Sequence, residues 1–103
     1  MKLVILHSEA KAEAKEAISF LNNQRDGFGD EFRDELEKAI ERIRRSPKAY
    51  SPYRAGYRKY LMEKKRFPYQ IFYFEYPTHL WIAAIYHAKR EPDKWMNRSP
   101  NDP

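Results

Sequence analysis

The chain has 103 residues, with 20 Lys and Arg against 15 Asp and Glu and a net charge of +5; this fits one domain, expected to span residues 1–103, whose core is small enough for a partner to matter to its stability. It contains no Cys, which excludes a disulfide framework and a thiolate metal site and suits a reducing compartment, so a cytoplasmic location is expected. The start, Met1 to His7, has too short an apolar run for a signal peptide, and the longest uncharged run, Tyr76 to Ala88, has 13 residues where a membrane helix needs ~20.

Charge is divided along the chain. Residues 1–46 carry 9 basic and 10 acidic groups, whereas residues 47–103 carry 11 and 5 and also hold all eight Tyr and both Trp. A basic, aromatic-rich half is the composition that meets phosphate backbones and bases, or an acidic protein segment. Strands also recruit Tyr and Trp for packing alone.

Leu3 to Leu6 is a run of four aliphatics, too short for a helix and expected to be a strand covered on both faces. Ala10, Ala14, Ala17, Ile18 and Leu21 then follow helical spacing, and Phe32, Leu36, Ala39, Ile40 and Ile43 repeat it. Ser8 is the expected N-cap of the first helix. Asp30 and Glu31 place negative charge at the start of the second, Arg42, Arg44 and Arg45 suit its carboxyl end, and Ser46-Pro47 stops it. The short join Asp26-Gly27-Phe28-Gly29 predicts an antiparallel helical hairpin, with Glu41–Arg45 and Asp34–Lys38 as surface pairs. Three strands follow, at Tyr57 to Met62, Tyr69 to Glu75 and Leu80 to His87, joined by turns at Lys64-Lys65 and Tyr76-Pro77-Thr78-His79. The predicted fold is α+β in the order β-α-α-β-β-β, an antiparallel sheet with the hairpin packed on one face.

The last third carries a paired signature: Arg66-Phe67-Pro68-Tyr69 with Ile71 and Tyr73, then His87, Arg90, Pro92, Trp95 and Arg98. It resembles the RelE/ParE superfamily of type II toxin-antitoxin toxins, and the Gly29, Phe32, Glu35, Leu36, Ala39 and Ile43 pattern is similar to that family's second helix. The resemblance implies the same β-α-α-β-β-β fold, a short basic tail from about residue 88, and a cognate antitoxin with an acidic or helical segment that wraps the toxin. The ParE-like branch is favoured by the tail that continues past His87. It implies growth inhibition by binding and poisoning DNA gyrase. The alternatives are a RelE-type ribonuclease acting on messenger RNA at the ribosome and a non-toxic, antitoxin-binding module.

No metal-ligand spacing, nucleophile elbow or phosphate loop is present, so no metal and no cofactor is expected. For a ribonuclease the catalytic candidates are Lys59, His87 and Arg90, since attack by a ribose 2′-hydroxyl needs a base, a charge stabiliser and a proton donor. Arg58, Lys59, Arg66, Arg90, Trp95 and Arg98 are the candidates for contact with the target or nucleic acid. Arg58, Lys59, Arg66, His87 and Arg90 are expected to converge on one concave face. The plainer reading makes His87 a half-buried strand end bonded to a loop, Arg90 a tail anchor and Trp95 a cap on the core.

Overall fold

The computed structural model describes residues 2–63, 65–90 and 93–102; Lys64 of the expected turn and Pro92 of the tail signature lie outside them. Strand β1 (Leu3–Leu6) leads into helices α1 (Ser8–Gln24) and α2 (Phe28–Arg45), and strands β2 (Ser51–Pro52), β3 (Arg58–Leu61), β4 (Tyr69–Glu75) and β5 (His79–His87) follow. A 3₁₀ turn at Lys94–Asn97 closes the chain's regular structure.

The strand order is β1-β5-β4-β3-β2. From β2 to β5 all neighbours are antiparallel, as short connections require. β1 instead joins β5 in parallel, with Leu3 opposite His79 and Leu6 opposite Ile82, so the sheet is mixed. Short loops dictate the direction of consecutive strands only, and the whole helical hairpin separates β1 from the meander. β1 is also an edge strand, not one covered on both faces: Leu3 and Ile5 are 64% and 42% exposed. Only the alternate residues Val4 and Leu6 meet the core.

The helices form where the apolar spacing predicts them, with a different N-cap. Ser8 is the first helical residue, and the cap is His7, whose Nδ1 accepts a hydrogen bond from the Glu9 N–H at 3.0 Å. Gly27 (φ 82°) makes the turn into α2 in the left-handed region that glycine enters without strain. Gly29 sits at the helix crossing, where a Cβ would collide with the Ile18 carbonyl oxygen. Its N–H donates to Asn22 Oδ1 at 2.7 Å, locking the hairpin. On the helix surface Glu41 pairs with Arg45, while Lys38 pairs with Glu35 instead of Asp34.

Both faces of the sheet are covered, by unlike material. On the hairpin side Ala10, Ala17, Leu21, Phe32, Leu36, Ala39 and Ile43 pack on Phe67, Tyr69, Ile71, Tyr73, Leu80, Ile82 and Ile85. On the other side Phe72, Trp81, Tyr86 and Trp95 form an aromatic layer flanked by Tyr53, Tyr57, Phe74 and Tyr76. A β-bulge makes the second layer possible. Pairing shifts between Phe72 and Tyr73, opposite Ala84 and Ile82 respectively, which leaves Ala83 as the extra residue and puts both Ala83 and Ala84 in the aromatic layer.

Candidate functional site

Alternation along β3 decides where its cations point. Tyr60 packs with the hairpin-side core and against Tyr50, ring centroids 4.7 Å apart. Arg58, two residues away, shares that face, is half-buried, and its Nη1 donates to the Tyr50 carbonyl at 2.8 Å. Lys59 therefore points to the opposite face, where it lines a cavity of about 440 Å³ with Ser51, Leu61, Pro68, Gln70 and Ala88.

His87 lies on the hairpin side. Its ring meets the edge of its cross-strand partner Tyr69 at 5.2 Å, and Tyr69 in turn packs on Phe32 of α2. His87 Nδ1 accepts from the Lys89 N–H at 3.1 Å, the half-buried, loop-bonded arrangement of the plainer reading. His87 and Arg90 share a groove with Glu13, Glu16, Ala17, Phe20, Tyr69 and Ile85. Arg66 pairs instead with Glu31 of α2 at 3.2 Å and lies over the Phe67 ring at 4.9 Å.

The expected convergence on one concave face is thus corrected. The sheet itself stands between Lys59 and His87, so the two cannot flank one phosphate. The cations that were expected to act together divide into Lys59 on the aromatic side, Arg58 and His87 on the hairpin side, Arg90 at the β5 edge between the two, and Arg66 at the start of α2.

Two tail residues proposed as contacts are built into the fold. Trp95 is 0% exposed, with its rings 4.8 Å from both Phe72 and Tyr57, so it has no surface to offer a base or a target. Arg98 is equally committed. Its Nη2 meets Glu13 Oε2 at 2.7 Å, and its Nη1 donates to Glu13 Oε1 at 3.1 Å and to the Ala83 carbonyl at 2.9 Å. Burial opposes the Arg98 charge, but the Glu13 carboxylate more than compensates and holds the guanidinium pKa above its ordinary value. Arg90 contributes a longer contact, 3.4 Å, to the same carboxylate and stacks over the Tyr86 ring at 4.0 Å.

Glu13 is the residue that sequence reasoning missed. It is 8% exposed, and its Oε1 also accepts the Ile85 N–H at 3.0 Å. β1 covers the edge of β5 only as far as Ile82. Beyond it, the Glu13–Arg98 pair takes the place of a strand, one partner accepting from Ile85 and the other donating to Ala83. The signal was in the sequence: Glu13 stands three residues after Ala10 and four before Ala17, on the buried stripe of α1. A second tie runs from His7 Nε2 to Asp102 Oδ2 at 3.0 Å. The Ser99 N–H and the His7 ring both hold the Asp102 carboxyl below its usual range.

No group of three or more His, Asp or Glu stands close enough to hold a metal among the described residues, and none of their helices is long and apolar enough to cross a membrane. No curated protein matches the chain. Among solved structures, one titled as the chromosomal ParDE TA system from P. aeruginosa superposes with a TM-score of 0.76 at 12% identity, covering 86% of this chain and 98% of that one. That likeness establishes the fold. The sequence itself matches, over residues 4–92, the family described as the ParE toxin of the type II toxin-antitoxin system parDE. The chain belongs to the ParE toxin family of type II toxin-antitoxin systems, a family in which each toxin has a cognate antitoxin.

Proposed function

We propose that the protein arrests growth from the cytoplasm by binding DNA gyrase and poisoning it, with no catalysis of its own, until its antitoxin neutralises it. The observation that carries this reading is the separation of Lys59 from His87 by the sheet. Cleavage of RNA by general acid–base catalysis requires a donor and an acceptor of protons within hydrogen-bond reach of one substrate. Binding requires only a shaped surface. Exposed Phe20 on α1, and exposed Leu3 and Ile5 on the face of β1 turned away from the hairpin, offer apolar purchase for a wrapping antitoxin segment, and the +6 charge of residues 47–103 suits acidic residues within it.

The test is to induce the protein without its antitoxin and to follow growth, plasmid supercoiling and transcript integrity together. Growth arrest with altered supercoiling and intact transcripts is expected. Transcript cleavage on ribosomes with unchanged supercoiling would establish the RelE-type reading. Unimpaired growth under strong induction would leave a non-toxic, antitoxin-binding module.

A further inference from the structure

We propose that the cavity around Lys59 is where the protein target docks, taking an apolar side chain followed by a carboxylate. This rests on the reading that the chain acts by binding, though not on gyrase being the target. The cavity opens on the sheet face away from the hairpin, has a volume of about 440 Å³, and is walled by Leu61, Pro68 and Ala88 with Lys59, Ser51 and Gln70 at its polar margin. Leu61 is 40% exposed, a large apolar group left in water beside the aromatic layer. A few apolar walls around one oriented charge is the arrangement that receives an anchor residue at a protein interface.

Charge decides which group accompanies the anchor. The Lys59 ammonium lies 5.5 Å from the Tyr53 ring centroid and has no carboxylate partner among the described residues. Asp93, the acid attached to the same tyrosine, is taken by Arg54 at 2.8 Å and by the Tyr53 hydroxyl at 3.1 Å. A partner carboxylate therefore finds a waiting cation and displaces no internal pair.

A nucleic acid fits the same face poorly. Single-stranded binders stack bases on exposed aromatics and track the backbone with several cations. Here Phe72, Trp81, Tyr86 and Trp95 are each 1% exposed or less, and among the described residues Lys59 is the only cation in the cavity wall.

The experiment induces Ala88→Phe, Lys59→Glu and Lys59→Arg in place of the wild type. Ala88 is exposed, so its enlargement fills the cavity from the rim and leaves the core untouched. Folding is checked by circular dichroism and antitoxin binding by co-purification. Ala88→Phe and Lys59→Glu should each weaken growth arrest by about 30-fold in the concentration required, the cost of losing one anchor contact. Lys59→Arg should retain it, and all three should still bind antitoxin. If purified wild-type protein leaves gyrase supercoiling unchanged while the cavity variants lose growth arrest, gyrase is the wrong target and the docking site stands. Full growth arrest by a folded Ala88→Phe variant would overturn the docking site. So would loss of single-stranded RNA binding and of growth arrest in Lys59→Glu alone, because the lysine would then serve a nucleic acid. A wild-type chain that does not arrest growth overturns both readings.

Discussion

The two faces of the sheet are closed by different means. The hairpin side is covered by two helices that follow each other in sequence, each presenting a stripe of aliphatic and small residues, and Gly29 lets them approach closely. The aromatic side is covered by a few large rings and by a tail that returns from the far end of the chain. The first cover is a local structure that propagates along the sequence. The second depends on Trp95 finding its seat and on Arg98 reaching Glu13 of α1, 85 positions earlier. Residues near the carboxyl end can therefore be indispensable to a toxin without touching its target. Truncation after Lys89 removes a fully buried Trp and the partner of a buried carboxylate, so loss of toxicity in such a variant reports loss of the fold.

The comparison is tested most strongly at Glu13, which belongs to the hairpin and fastens the tail. Glu13→Ala leaves Arg98 a buried cation without its acid and the Ile85 N–H without an acceptor. Breaking a buried pair in this way costs about 3–5 kcal/mol, a large part of what a small domain has. Urea unfolding should show the loss, with the fluorescence of Trp81 and Trp95 changing at lower urea than the helical circular dichroism. Coincident transitions would mean that the two covers melt as one unit. On the hairpin side Leu36 is 5% exposed in the core of α2. Leu36→Ala should cost about 2–5 kcal/mol, with fluorescence and circular dichroism shifting together because that stripe supports the whole sheet. A Leu36→Ala variant of unchanged thermal stability would remove the hairpin from its place as principal support.

The same contrast explains what could be read from the sequence. Helical spacing announced both helices, and the density of aromatic and β-branched residues announced β4 and β5, because those signals are local. The parallel pairing of β1 with β5 was not foreseen, because strand direction across an intervening hairpin is not encoded in loop length. His7 was not foreseen as an N-cap, since the usual caps are Ser, Thr, Asp and Asn, and its position is secured by Asp102 from the other end of the chain. The site was less legible than the fold. Arg58 and Lys59 are neighbours on a strand, and the two-residue period alone sends them to opposite faces. Their shared charge suggested a common task that the geometry forbids. The seat of Trp95 depends on the bulge at Ala83, which no residue type advertises, since alanine occupies both positions of the doubled register.

The smallest expected effect falls within the hairpin cover, where the chain leaves α2. Tyr73 of β4 is fully buried on the hairpin side, and its hydroxyl donates to the Pro47 carbonyl at 2.6 Å, tying the chain that leaves α2 to the centre of the sheet. Burial pushes the Tyr73 phenol up to about 12, with the nearby Arg58 opposing the shift. A phenol whose pKa is higher folded than unfolded favours the fold in its neutral form. Its contribution is complete below the ordinary tyrosine value of about 10 and is lost as pH rises from there to about 12. Tyr73→Phe keeps the ring and removes the hydroxyl, so it should cost about 1 kcal/mol at neutral pH, the net value of one hydrogen bond. It should also flatten the alkaline decline of stability, because the variant has one fewer proton to lose on unfolding. Thermal melts of both proteins from neutral to strongly alkaline pH make the comparison, and the difference between them should narrow above pH ~10. A constant gap across that range would show that Tyr73 ionises as readily in the folded chain as in the unfolded one, and that the hairpin does not seal this face of the sheet from water.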